Sequence, residues 1–217
     1  MKKISLALIA MALSLTTYGQ ETKTLLGGTG TNNTFGFSIT GLSQFTQVAG
    51  NSALMGGAKA GLIINDKLSV GGYYLQNLNE ITGPTEFPNT YYDLKMGGAF
   101  VEYSLWSDRL VHLTIPLFIG GGELSLDDRG DDDLYDWDSS YGDDYFFVIE
   151  PGIQAELNVH KYVRFHLGAG YRIVNGIDYQ VTTGLAGATN NLDLGNNDIS
   201  GFTISAGLEI GLFRIQN

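Results

Sequence analysis

The chain has 217 residues, a formal net charge of −11, 30 glycines, four prolines and no cysteine. So acidic a chain argues against a nucleic-acid partner, whose phosphates are held by Lys and Arg. The lack of Cys excludes both disulfides and a lipidated N-terminal cysteine.

The first segment addresses the chain. Lys2 and Lys3 precede an apolar run from Ile4 to Leu15, and Thr17-Tyr18-Gly19 supplies small residues at the −3 and −1 positions. That order predicts a secretory signal over residues 1–19, cleaved after Gly19. The run is shorter than the ~20 residues a helical membrane span needs. Loss of Lys2 and Lys3 takes the mature charge to −13. Residues 20–33 read as a short periplasmic lead and residues 34–217 as one folded unit.

Eight stretches then alternate in polarity with the two-residue period of a strand. They are residues 34–47, 54–64, 67–76, 91–106, 110–124, 145–159, 162–174 and 201–215. In the fifth, Val111, Leu113, Ile115, Leu117 and Ile119 oppose His112, Thr114, Pro116, Phe118 and Gly120. In the sixth and seventh, a hairpin turning at His160-Lys161, Ile149, Ile153, Leu157, Phe165, Leu167 and Ile173 share one face. Glu150, Gln154, Glu156, Arg164, His166 and Arg172 share the other. The fourth breaks the pattern: Asp93 and Lys95 fall on the apolar parity. A bulge at Gly97-Gly98 would repair it, and so would residues 91–95 standing clear of a membrane.

Three features choose lipid over a protein core as what the apolar faces touch. Links alternate between tight turns (65–67, 107–109, 160–161) and longer polar connections (77–90, 125–144, 175–200), with a shorter one near 48–53. Transmembrane barrels have that asymmetry, with the short turns in the periplasm. Aromatics gather at strand ends, as at two membrane interfaces. With no helical span after the signal, insertion requires a closed barrel, because lipid cannot satisfy an open sheet edge. The expected fold is therefore all-β, an eight-stranded antiparallel up-and-down transmembrane β-barrel.

This pattern resembles the small eight-stranded outer-membrane β-barrels of Gram-negative bacteria, the group of the OmpA transmembrane domain, OmpX and OmpW. Members carry a C-terminal signal of the form polar-x-Gly-x-x-apolar-x-apolar, read by the barrel assembly machinery. Ser205, Gly207, Ile210 and Leu212 fit it, although the chain runs on through Phe213 to Asn217 without a terminal aromatic. The resemblance implies an outer-membrane location, contact with outer-membrane lipid and handling by the assembly machinery, and a monomer is expected.

The inward parity collects Lys59, Glu102, Glu150, Glu156, Arg164, His166, Arg172 and Glu209. An eight-stranded interior is just wide enough to be filled by side chains, and buried charges must pair. The expectation is a salt-bridge plug and a structural or surface-interaction role. The alternative is a narrow channel for small or hydrophobic solutes, as in OmpW. No enzyme is expected, because the outer loops contain no His from which a Ser-His-Asp set could be built. The segment 127–144 is the most acidic of the chain, with nine Asp against Arg129. Asp127, Asp128, Asp131, Asp132, Asp133, Asp136 and Asp138 are candidate Ca2+ ligands there, since hard cations take several carboxylate oxygens. Their spacing does not match an EF-hand loop.

Overall fold

The computed structural model describes residues 35–85, 87, 89–128, 140–185 and 188–213. The expected export signal over 1–19 and lead over 20–33, together with Asp131, Asp132, Asp133, Asp136 and Asp138, lie outside these residues, as does the tail from residue 214. The described chain is almost entirely strand: β1 (Phe35–Val48), β2 (Asn51–Ile64), β3 (Leu68–Asn77), β4 (Ile81–Thr82), β5 (Thr90–Leu105), β6 (Val111–Asp128), β7 (Ser140–His160), β8 (Val163–Asn175), β9 (Asp178–Leu185), β10 (Ala188–Gly195) and β11 (Gly201–Gly211). A single helical turn, α1 (Asn196–Ile199), precedes β11.

Eight of these strands close on themselves. The antiparallel order is β3-β2-β1-β11-β8-β7-β6-β5, and β3 pairs with β5 to complete the ring. Closure removes every edge, the condition for standing in lipid. Following the register once around, from Ser38 through Gly61, Gly71, Phe100, Phe118, Glu150 and Gly201, returns to β1 ten residues further on, at Val48. Such a stagger is what tilts the strands of a closed barrel.

Local sequence sets the turns. Ala49 and Gly50 join β1 to β2 with φ of 48° and 77°, the left-handed pair a two-residue hairpin needs. Asn65 and Asp66 take φ of 54° and 56° at the β2–β3 turn, a conformation these residue types tolerate. Trp106 has φ 57° in the β5–β6 turn, which carries its ring outward to 56% exposure; strand parity alone would have turned it away from lipid.

The apolar face is the outer one. Ile204, Leu167 and Ile210 are 57%, 54% and 59% exposed, whereas Glu150 and Arg172 are buried. A soluble protein does not leave so continuous an apolar surface to water. Aromatics flank it at both ends: Phe35, Phe37, Tyr103, Trp106, Tyr162 and Phe165 toward the short turns, and Phe45, Tyr74, Tyr145, Phe147, Tyr171 and Phe202 toward the long connections. We call these the turn end and the loop end. In transmembrane barrels the turn end is periplasmic.

The wall rises past the lipid belt on one side. β6 and β7 run 18 and 21 residues, whereas β3 has ten. The β5 register is unbroken from Thr90 to Leu105, so there is no bulge at Gly97-Gly98. Asp93 and Lys95 instead face outward above the belt and pair at 2.7 Å. Where β3 stops, asparagines continue its ladder. Leu94 N donates to Asn77 Oδ1 at 2.8 Å and Leu54 N to Asn79 Oδ1 at 2.6 Å.

The connection over 175–200, expected as a polar link, contains the β9–β10 hairpin and α1. Ile177, Tyr179, Leu192, Leu194 and Ile199 from it are buried with Val48, Met55, Leu94, Leu124, Leu126, Phe146, Val148 and Val174. The loop-end half of the interior is thus an apolar core. Its signal in the sequence is an inversion of parity: Tyr92, Leu94 and Met96 face inward on the same parity that carries Glu102 lower in β5.

Candidate functional site

The interior is layered, and each layer follows from which inward positions the register brings to one level. Nearest the turns lies a polar knot. His112 Nε2 is 2.8 Å from Glu156 Oε2, Gln154 Nε2 donates to Glu156 Oε1 at 2.7 Å, and Arg164 Nη1 stands 3.8 Å from Glu156 Oε2. Lys59 Nζ donates to Glu102 Oε1. Glu209 lies beside Ser38, within reach of the charges of Lys59 and Arg164, and the buried His166 is the cross-strand partner of both Glu156 and Gly207. Phe213, just past the end of β11, turns inward, and the Arg164 guanidinium lies 3.7 Å from its ring centre. That stack is the floor of the knot.

Above it three aromatic rings cross the lumen. Tyr73 meets Phe118 edge-on at 5.0 Å, and Phe100 lies 6.1 Å from Phe118. Lys59 Nζ is 5.2 Å from the Phe100 ring centre, so its charge is held between a carboxylate and a π face.

A second polar knot follows, around Arg172, which is fully buried. Its Nε donates to Ile199 O at 2.9 Å, and its Nη2 to Thr46 Oγ1 at 3.1 Å and Gln47 O at 3.2 Å. Glu150 accepts from Gln44 Nε2 at 2.5 Å and from Thr203 Oγ1 at 2.9 Å. Arg172 and Glu150 therefore spend their hydrogen bonds on different partners while each remains in the other's field. The apolar loop-end core closes the stack.

All eight inward charges read from the sequence are buried inside the barrel. The structure gathers Lys59, Glu102, Glu156, Arg164, His166 and Glu209 in the lower knot and Glu150 and Arg172 in the upper. The neutral members were missed: Gln44, Tyr73, Thr203 and the floor residue Phe213. Parity marks the first three as inward, but only the register shows which charge each one serves. Of the four residues expected to form an assembly signal, Gly207 faces inward and Ser205 is partly buried, while Ile210 and Leu212 face outward.

Of the seven candidate Ca2+ ligands, Asp127 is the one whose side chain the structure describes. It stands at the top of β6, on the outer face, opposite Tyr91, and among the described residues no group of three or more acidic or His side chains is arranged to hold a metal. Burial first, and the Asp93 carboxylate second, push the Asp127 carboxyl above its ordinary range, with Lys95 opposing. A carboxyl whose folded pKa is raised holds its proton more tightly when folded. Its contribution is therefore present at acid pH and lost as pH rises from the unfolded value through the folded one. Asp127→Asn is expected to be more thermostable than the parent at neutral pH, with a smaller change in melting temperature between about pH 3.5 and pH 6.5. Equal pH dependence of the two would refute this.

The fold and its exposed belt define a transmembrane β-barrel. Its likeness to known proteins is one of structure: no family model matches the chain, and no curated protein does. Neisserial surface protein A superposes with a TM-score of 0.52 at 16% identity, over 83% of this chain and 99% of that one. The N-terminal β-barrel domain of OprF from Pseudomonas aeruginosa gives 0.48 at 9% identity, over 81% and 96%. The outer membrane protein OprG from the same organism gives 0.48 at 10%, over 83% and 96%. The chain has the fold of the small eight-stranded outer-membrane β-barrels, and the outer membrane is where a barrel with such a lipid-facing belt resides.

Proposed function

We propose that this protein is a monomeric, non-enzymatic barrel whose lumen is plugged, with a structural or surface-interaction role carried by its loop end. The observation behind the plug is the aromatic layer. Tyr73, Phe100 and Phe118 lie across the lumen between two knots of paired charge, and neither ions nor sugars pass such a layer without its rings moving. The acidic upper wall, with Asp93, Glu123, Asp127 and Asp143 near one another on the outer face of β5–β7, supports the surface role. Against catalysis, His112 and His166 are enclosed in the lower knot and His160 lies at the turn end.

In planar bilayers the purified full chain is expected to give no steady conductance, and large stable channels would end the reading. A second reading, a narrow route for small or hydrophobic solutes, draws on the apolar character of the loop-end half, whose packed residues would have to part for a solute to pass. It requires solute flux in liposomes where ion conductance is absent.

A further inference from the structure

On the outer wall, where β1 meets β11 near the turn end, runs a groove of about 790 Å3. Phe37 and Ile39 form one wall and Leu208, Ile210 and Leu212 the other. Gly41 continues the β1 wall opposite Leu208, and an added Cβ there would meet nothing within 4 Å. The groove exists because this lipid-facing position has no side chain while its neighbours are large. A pocket of this size suits a ligand of a few tens of heavy atoms, and its lining is apolar.

One end of the groove is not merely apolar. Tyr162, from the turn between β7 and β8, lines it, and its carbonyl is fixed by Gly211 N at 3.0 Å. Lys161 Nζ lies 4.9 Å from the Tyr162 ring centre, and the His160 ring lies 5.6 Å from it. Both Lys161 and His160 are exposed. An apolar channel thus ends at the membrane interface on an aromatic ring that carries an ammonium group. Those parts match the two halves of a phospholipid: methylenes for the channel and a phosphodiester for the cation.

We propose that this groove is a binding site for one phospholipid of the turn-side leaflet, with an acyl chain laid over Gly41 and the phosphate against Lys161, and with a preference for an anionic headgroup. The preference follows from charge. A zwitterionic headgroup brings its own ammonium group close to Lys161, whereas a glycerol headgroup leaves the phosphate charge uncompensated. A single basic residue at the surface is worth about fivefold in such a choice. The site rests on the barrel standing in lipid and is independent of whether the lumen conducts.

The test is native mass spectrometry of the full chain released from detergent, with equimolar phosphatidylglycerol and phosphatidylcholine of identical chains. Folding of each sample is checked first by its migration on unboiled gels. One retained phosphatidylglycerol, about fivefold over phosphatidylcholine, is expected for the parent. Lys161→Glu should bring phosphatidylglycerol down to the phosphatidylcholine level, and Gly41→Leu should abolish retention of both. Equal retention of the two lipids by the parent, no effect of Lys161→Glu, undiminished retention by folded Gly41→Leu, or a second copy of the chain bound in place of lipid would each overturn the proposal. Should Gly41→Leu fail to fold, Lys161→Glu decides alone, because Lys161 is exposed and its contact with the Tyr162 ring lies in a surface turn.

Discussion

Replacing Arg172 by Met is expected to destabilise the barrel by about 3–5 kcal/mol, the range for breaking a buried charge cluster by removing one partner. The side chain is fully buried and makes three hydrogen bonds. Two of its acceptors are backbone carbonyls, Ile199 O and Gln47 O, and a buried carbonyl left without a donor costs its full desolvation. Ile199 belongs to α1, whose Asp198 carbonyl in turn accepts from Ala49 N at 2.7 Å. Arg172 therefore ties the long β8–β11 connection to the β1–β2 hairpin. Its loss should show as faster hydrogen exchange over 47–50 and 196–200, before any change at the turn end. Urea titration of the barrel folded into vesicles gives the free energy. Glu150→Gln is expected to cost less, since a Gln side-chain oxygen can still accept from Gln44 and Thr203, and the double variant should fall short of the sum of the two. The removed Arg charge is what made the remaining carboxylate tolerable, so the cycle reads their coupling although no hydrogen bond joins them. Additivity within about 0.3 kcal/mol would mean that the two groups are independent.

How much of this was legible follows from what strand parity can carry. Alternation fixes which face a residue takes. It therefore yielded the eight barrel strands, the lipid-facing position of Leu167 and Ile210, and the burial of all eight charges. It does not fix which residues share a level, because the level depends on a stagger accumulated around the ring. Nor does a shared level fix hydrogen-bond partners: the β7–β8 register, with Ile149 opposite Ile173 and Gly152 opposite Gly170, sets Glu150 across from Arg172. The structure instead gives Glu150 to Gln44 and Thr203, and Arg172 to Thr46, Gln47 and Ile199. Parity also assumes one solvent on each side along the whole strand. Above the lipid belt the outside is water, so Asp93 and Lys95 take the face that Val101 and Tyr103 take below. The inversion is visible in the sequence of β5, and read as such it would have revealed the apolar loop-end core. The β9–β10 hairpin was hidden for another reason: its turn formers mark a link but do not say that the link folds back on itself.

The glycines give the sharpest contrast between neighbouring positions. Gly98 and Gly120 are cross-strand partners on the inward parity. A Cβ on Gly98 would run into the carbonyl oxygen of Ile119 and come within 2.5 Å of Gly120 Cα, and a Cβ on Gly120 would strike the carbonyl oxygen of Gly97. These obstacles are backbone of the adjoining strand, which cannot rotate away as a side chain can. The wall is so strongly coiled here that only hydrogen fits between strands. The same level receives the Tyr73 and Phe118 rings, so coiling and plug are built by one arrangement. Gly98→Val is expected to abolish the folded, fast-migrating form on unboiled gels, at a cost above the ~1–3 kcal/mol of ordinary overpacking. Gly41→Ala, on the open outer face, should fold as the parent does. Gly98→Ala should fall between, with reduced folded yield. A folded Gly98→Val barrel of parental stability would mean that the strands can part at this level, and a lumen able to widen there would no longer be held shut by its aromatic layer.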